Sequence, residues 1–196
     1  PELAKPVVAV DPSSGDGTGD ECGIVVVAVS AGTIPTEIDL HNGLKIVRNV
    51  KHLYILEDAS MAGPPEEWAV RVSNTCEKWN TTTVVAEINQ GGKMVPLVLR
   101  AVNKSLRVKT VHATKGKEVR AEPVAAIFGQ GRGHMVGNMP ELEDQATTWV
   151  PGSSNSPDRL DAMVWGATYA LPELGREVAM TSYPDMSQNI VNPEAV

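Results

Sequence analysis

The chain has 196 residues, of which 42% are hydrophobic, and its formal net charge at pH 7 is −7. This length suits one domain with a core of its own. No apolar run approaches the roughly 18 residues of a membrane-spanning helix, and the first residues have no signal-peptide pattern, so we expect no membrane association. The opening sequence PELAKPVVAV instead indicates a fragment of a longer protein.

The stretch from Val7 to Val29 predicts a β-hairpin, because two runs rich in valine flank a loop of Gly, Ser and Asp. Asp11 ends the first run. A carboxylate at the end of a buried strand is costly unless a cation holds it. The hairpin therefore predicts a metal ion or a basic partner beside Asp11, with the loop acids Asp16 and Asp20 as helpers at most.

Strand and helix patterns alternate along the rest of the chain, and we predict one domain over residues 1–172 followed by a flexible tail over 173–196. Residues 31–50 are mixed and leave open whether they extend the hairpin or leave it. Ser156 is the predicted cap of the last helix. The predicted strands are Val7–Val10, Ile24–Ser30, His52–Leu56, Thr81–Ile88 and Leu106–His112, and the predicted helices begin at Pro65, Met94, Glu118, Pro140 and Pro157.

This order of elements predicts an α/β fold. Five strands would form one mixed sheet, three antiparallel followed by two parallel, with helices on both faces. Cys22 and Cys76 lack metal-ligand spacing and lie far apart, which favours reduced thiols. Cys76 follows Trp68 and Val72 at helical spacing, so it is predicted to be a core residue and not a nucleophile.

Charge is distributed unevenly along the chain. The segment from Lys93 to Arg120 contains eight basic residues and the single acid Glu118, a net charge of +7, so the remainder carries −14. This polarity is typical of a protein that binds cations at one place and a polyanion beside it. A solvated helix face followed by a basic loop would give the same composition, and that alternative stays open.

Three carboxylates occupy similar positions at the ends of predicted elements. Asp11 ends the first strand and Glu87 the fourth, which would lie parallel to the first. Asp158 falls in the first turn of the last helix, where the helix dipole favours its ionised form, and Asp161 shares its face. Converging carboxylates suit hard divalent cations, and two such ions about 4 Å apart can promote phosphodiester hydrolysis. Each acid alone is more often a cap or a surface residue.

Other chemistries fit the sequence less well. The loop GDGTGDECG is not a P-loop, and a strand follows it where a dinucleotide-binding turn requires a helix. It also lacks the spacing of a calcium loop. His112, at the end of the fifth predicted strand, is the one histidine placed to reach the acids, and we do not expect it to be a ligand.

Five sequence blocks resemble, in order, the C-terminal nuclease domain of phage large terminase subunits. The resemblance runs from about Val7 to Leu171 and implies a ribonuclease H-like fold. The blocks are DPSSGDGTGDECGIVVVA, VVAEINQGGKMV, KGKEVRAEPVAAIFGQGRGHMVG, PELEDQATTWVPG and SPDRLDAMVWGA.

The resemblance implies a metal-dependent endonuclease that cuts concatemeric viral DNA during genome packaging. Its implied cofactor is a pair of divalent ions, either Mg²⁺ or Mn²⁺. The family's catalytic and metal-binding acids fall on Asp11, Glu87 and Asp158, and Asp161 is the candidate fourth ligand. The basic residues expected near DNA are Lys115, Lys117 and Arg120.

Partners and location follow from the same resemblance. Double-stranded DNA, an ATPase domain of the same full-length protein, the portal protein and the small terminase subunit are the implied partners. The implied location is the cytoplasm of the infected bacterium, for a virus-encoded or prophage protein. The family's Walker motifs are absent here, so we do not expect this chain alone to hydrolyse ATP or move DNA.

Two other functions remain open at this stage. The same fold could serve a junction resolvase or a transposase-type nuclease, which a panel of branched DNA substrates would distinguish. The domain could also be chiefly a docking module of the packaging motor with weak cleavage of its own. A docking surface gives no reason for acids at three element ends, so the nuclease is the preferred hypothesis.

Overall fold

A computed structural model describes residues 1–12, 21–40, 44–89, 92–152 and 156–174 of the chain. Its strands are β1 Val7–Asp11, β2 Glu21–Val29, β3 Ile34–Asp39, β4 Lys45–Val50, β5 Leu53–Asp58, β6 Met61–Ala62, β7 Thr83–Glu87, β8 Arg107–Val111 and β9 Gly133–Met135. Its helices are α1 Pro65–Lys78, α2 Met94–Val102, α3 Lys117–Gly129, α4 Pro140–Thr148 and α5 Asp158–Ala170.

The main sheet has the strand order β8-β7-β1-β2-β5-β9, and β6 pairs with β2 off that path. β2 runs antiparallel to β1 and β5, whereas β7 and β8 continue parallel to β1. The α/β class and the mixed sheet are therefore confirmed, with the five predicted strands in one contiguous set. Two short strands, β6 and β9, raise the count to seven, because pieces of two and three residues are too short to show a periodic pattern.

Residues 31–50 leave the main sheet. β3 and β4 pair with each other as a separate antiparallel hairpin, from Ile34 opposite Val50 to Asp39 opposite Lys45. The sequence left open whether residues 31–50 extend the β1–β2 hairpin or leave it, and the second alternative is correct.

The two faces of the main sheet bury separate apolar clusters. Alternation along β1 sends Val8 and Val10 into the cluster covered by α1 and α2, and Val7 into the cluster covered by α3, α4 and α5. Cys76 is buried in the first cluster, and its burial raises the pKa of the thiol to about 12. Both cysteines are free, and the prediction of Cys76 as a core residue is confirmed.

Two glycines let α5 lie directly on the sheet. A Cβ at Gly166 would come within 2.7 Å of Val27 Cγ2, and a Cβ at Gly23 would overlap the carbonyl oxygen of Asp158. The first turn of α5 therefore rests on the backbone of β2, close to the end of β1. This contact determines where the acids of that turn lie.

Pro157, not Ser156, occupies the N-cap position of α5, so the predicted Ser156 cap is wrong. The hydroxyl of Ser156 instead accepts a hydrogen bond of 3.0 Å from Lys117 Nζ.

After α5, residues 172–174 form a helical turn whose Leu174 is buried in the second cluster. The rest of the predicted tail, 175–196, lies outside the described residues, and its flexibility stays a prediction. None of the described helices is long and apolar enough to cross a membrane.

Candidate functional site

Four carboxylates converge at one end of the sheet. The parallel register pairs Val10 with Ala86, so the next residues, Asp11 and Glu87, lie side by side where β1 and β7 end. The first turn of α5 adds Asp158 and Asp161. The other three acids lie close enough to Asp11 for each of their charges to raise its pKa. The structure thus brings together the four acids chosen from the sequence.

Asp11 has a strongly raised pKa. Its pKa rises from 3.8 to about 8, mainly because burial penalises the charged form and then because of the negative charges of Asp161, Glu87 and Asp158. Lys117 opposes this shift. A buried carboxyl with a strongly raised pKa beside three other acids is typical of a functional site.

Two cations from α3 reach into the acid cluster. Lys117 Nζ lies 2.5 Å from Asp161 Oδ2, and the Arg120 guanidinium lies 3.3 Å from Asp161 Oδ1 and 3.8 Å from Glu87 Oε2. The Arg120 side chain is 9% exposed, whereas that of Lys117 is 40% exposed. Both residues were expected at a DNA surface, but in this structure their charged groups pair with the acids.

Trp165 supports the cluster from α5. Its indole Nε1–H donates a 2.6 Å hydrogen bond to Glu87 Oε2, and the Arg120 guanidinium stacks on its ring at 4.5 Å. The Nε and Nη1 atoms of Arg120 are buried without a hydrogen-bond partner. Such unsatisfied donors are costly, and a bound anion would satisfy them.

A separate ion-pair group fixes the first turn of α5. Arg159 donates two hydrogen bonds to Glu21 at the start of β2, at 2.9 and 3.0 Å, and one of 2.6 Å to Asp58 at the end of β5. The Asp58 side chain is 4% exposed, so this contact is shielded from solvent. Arg159 thereby ties to the sheet the helical turn that carries Asp158 and Asp161.

The donor set suits a hard divalent cation in its chemistry, since it consists of carboxylate oxygens. Burial and the negative charges of the other acids raise the pKa of Asp11, and a bound divalent cation would favour its ionised form. Among the described residues, however, no three histidine, cysteine or acidic side chains are arranged to hold a metal ion as they stand. Both Lys117 and Arg120 pair with Asp161, so this acid would have to turn from these cations to bind a metal.

The remaining predicted residues lie around the cluster. Lys115 is exposed in the loop between β8 and α3. His112 bonds through Nδ1 to Asn89 Oδ1 at 2.9 Å. Asp16 and Asp20 lie outside the described residues.

Sheet order, strand directions and the placement of acids at the ends of β1 and β7 define a ribonuclease H-like domain of the nuclease type. The sequence model of the terminase RNaseH-like domain family matches residues 8–169, and the chain belongs to this family. No curated protein matches the chain. Among solved structures, Thermus thermophilus RuvC is similar, with 17% sequence identity, a TM-score of 0.41, and coverage of 84% of this chain and 94% of that one.

Three supporting residues were missed from the sequence: Trp165, Arg159 and Gly23. Trp165 falls four residues after Asp161 and seven after Asp158, which is helical spacing on the face of those acids, and this signal could have identified it. Arg159 and Gly23 act through contacts between elements distant in sequence. Periodicity does not show such contacts.

Proposed function

We propose that this domain is a metal-dependent DNA endonuclease that cuts concatemeric viral DNA during genome packaging. The observation that supports it best is the convergence of Asp11, Glu87, Asp158 and Asp161 around a carboxyl with a pKa of about 8, in a chain of the terminase RNaseH-like domain family. The proposed substrate is double-stranded DNA. The proposed partners are an ATPase domain of a longer chain, the portal protein and the small terminase subunit, in the cytoplasm of an infected bacterium.

Asp11, Glu87 and Asp158 are the proposed ligands of Mg²⁺ or Mn²⁺, with Asp161 as a fourth. Two such ions would polarise the attacking water and stabilise the leaving oxygen of the phosphodiester. The protein's own part is to hold the acids: Trp165 fixes the Glu87 carboxylate and Arg159 fixes the α5 turn.

Lys117 and Arg120 have a proposed second position. In this structure both pair with Asp161, and Arg120 also approaches Glu87. If these acids held metal ions, the two side chains would be free to contact the phosphate backbone, and a phosphate would satisfy the buried donors of Arg120. Lys115, exposed just before α3, is the proposed third contact to DNA.

Plasmid nicking in Mn²⁺ tests this function. We expect Asp11→Asn and Glu87→Gln to lower the nicking rate at least about a hundredfold, because each removes a charged ligand. Glu141→Gln is the matched control, since Glu141 is an exposed acid on α4 away from the cluster. If the two site variants nick as fast as the control, the assignment is wrong.

One observation favours a second candidate, the docking module with weak cleavage. Lys117 and Arg120 pair with Asp161, and among the described residues no three acids are arranged to hold a metal ion as they stand. If purified protein binds portal protein, retains that binding without the acids and shows no nicking in Mn²⁺ or Mg²⁺, the docking function replaces the nuclease.

A further inference from the structure

The exposed basic face of β8 has no role in the site described above. β8 is the edge strand of the main sheet, and Arg107 and Lys109 on it are both exposed. Across the described part of the chain, neither side chain forms an ion pair or a hydrogen bond. By contrast, Lys117 and Arg120 are engaged by the acids. β8 thus presents two exposed basic side chains that the acid cluster does not engage.

Strand alternation fixes the direction of these two side chains. Val108 packs against the cluster under α1 and α2, so Arg107 and Lys109 point to the opposite face of the sheet. That is the face on which Glu87 meets Trp165 of α5. The two basic residues therefore lie on the same side of the sheet as the acid cluster.

The register between β7 and β8 gives the distances of Arg107 and Lys109 from the acid cluster along the strand. Val111 at the end of β8 pairs with Glu87, and Lys109 pairs with Val85. At about 3.3 Å per residue, Lys109 lies about 7 Å and Arg107 about 13 Å along the strand from the level of Glu87. A row of positive charge thus leads away from the acids along the sheet edge.

The free edge of β8 adds donors to this row. The Arg107 N–H donates to Thr82, so the alternating N–H groups of Val108 and Thr110 point away from β7. Backbone N–H groups and basic side chains are the usual contacts to phosphate oxygens. Both kinds are present here on one strand.

We propose that β8 is a backbone-binding track for duplex DNA, in which Lys109 and Arg107 contact phosphates on one side of the phosphodiester held at the acid cluster. This inference rests on the proposed nuclease function and adds to it the path of the duplex. The contacts are to phosphates, so the track contributes affinity and orientation but no sequence preference.

Binding measurements test the track. The Arg107→Gln/Lys109→Gln variant is compared with Arg48→Gln/Arg71→Gln, which removes two exposed charges from β4 and α1. With a fluorescein-labelled duplex of about 30 base pairs, or three helical turns, anisotropy is measured in EDTA over a series of KCl concentrations. We expect the track variant to bind about tenfold more weakly. The plot of log K against log[salt] should become shallower, with the magnitude of its negative slope smaller by about 1.8, and the control should be unchanged.

A mapping experiment locates the track. Cys22 and Cys76 are buried, so Lys109→Cys offers one surface thiol for an iron-chelate cleavage reagent. We expect this reagent to cut DNA on one side only of the site nicked in Mn²⁺, and the same reagent on Arg48→Cys to give no localised cutting.

The outcomes separate the two proposals. If the parent nicks plasmid in Mn²⁺ but both double variants bind with the same affinity and salt slope, the track is overturned and the nuclease stands. The same holds if the track variant only aggregates through its unprotected edge while its soluble fraction binds DNA normally. If the parent neither binds nor nicks DNA, the nuclease function itself fails.

Discussion

The indole Nε1–H of Trp165 donates a 2.6 Å hydrogen bond to Oε2 of Glu87, so a residue of α5 holds the carboxylate at the end of β7. The same indole carries the stacked guanidinium of Arg120. One side chain thus orients both an acid of the cluster and the cation that neutralises it. Supporting hydrogen bonds of this kind commonly change metal affinity or activity 10- to 100-fold.

Replacing Trp165 by Phe keeps an aromatic ring and removes the donor. We expect Mn²⁺ affinity and the nicking rate to fall about tenfold, because the Glu87 carboxylate is then free to rotate. Calorimetric Mn²⁺ titration and plasmid nicking measure the two effects.

The matched control for this change is Trp79→Phe. The indole N–H of Trp79 donates to Glu57 Oε2, so this variant loses an equivalent bond away from the acid cluster. Equal losses in the two variants would show that Trp165 has only a general structural effect.

Much of the fold could be predicted because its signals are local. Runs of β-branched residues gave the main strands, and the apolar spacing of Trp68, Val72 and Cys76 gave α1. The hairpin of β3 and β4 was undecided because its alternating, half-exposed residues fit a strand inside or outside the main sheet. Ser156 has the chemistry of a cap, but its hydroxyl meets Lys117 instead. That outcome depends on where α3 packs.

The candidate site likewise contains residues that local sequence signals predict and residues whose position depends on packing. Asp11 and Glu87 could be chosen because they end strands, and strand ends are visible in the pattern. The inward position of Arg120 was not predictable, because α3 has a weakly amphipathic sequence that does not show which side faces α5. Its stacking on Trp165 depends on the packing of the two helices against each other.

Asp11 predicts a pH-dependent stability in metal-free protein. Its pKa is 3.8 in the unfolded reference and about 8 in the folded protein, so between these values the folded state holds a proton that the unfolded state has lost. Rising pH therefore favours unfolding across this window. The unfavourable contribution of Asp11 is absent below about pH 4 and complete above about pH 8.

Asp11→Asn removes this titration. In EDTA we expect its thermal midpoint to exceed that of the parent at about pH 8.5, with the difference shrinking toward about pH 5, in melts followed by circular dichroism. Glu141→Gln should show no such trend. A parent whose stability rises from about pH 5 to about pH 8 relative to Asp11→Asn contradicts the assignment.

Arg159→Gln tests the attachment of α5 to the sheet. The substitution leaves Asp58 buried without its cation, which we expect to cost about 3 kcal/mol of unfolding free energy in urea. Nicking should fall as well, because Asp158 and Asp161 lie in the turn that Arg159 holds. Lys45→Gln, which removes an exposed pair with Glu37, should leave both quantities nearly unchanged. A stable and fully active Arg159→Gln variant would refute the positioning role.

Gly23→Ala tests how closely α5 must approach β2. The added methyl overlaps the carbonyl oxygen of Asp158, so backbone has to move, and we expect a loss of about 2 kcal/mol in stability together with slower nicking. Gly32→Ala is the control, since its methyl would meet nothing within 4 Å. Equal melting temperatures for the two variants would show that the turn tolerates displacement.

Lys117→Gln tests whether the cations of α3 compete with metal for the acids. Lys117 Nζ lies 2.5 Å from Asp161 Oδ2 and lowers the pKa of Asp11, so its removal leaves the cluster more negative. We expect Mn²⁺ to bind about tenfold more tightly, because a like charge a few ångströms away is removed, while solvent screens Lys117, whose side chain is 40% exposed. The nicking rate at saturating Mn²⁺ should nevertheless fall, because Lys117 is also a proposed phosphate contact.

Tighter Mn²⁺ binding together with slower nicking would show that Lys117 both competes with the metal and contacts phosphate. A purely structural residue would not change the two quantities in opposite directions. The control is Lys93→Gln. Lys93 is exposed just before α2, and its replacement removes the same charge, so Mn²⁺ affinity and nicking rate should both stay unchanged. Weaker Mn²⁺ binding in Lys117→Gln would mean that the lysine organises the acids for the metal instead of competing with it. In that case the ion pair with Asp161 belongs to the metal-bound arrangement as well.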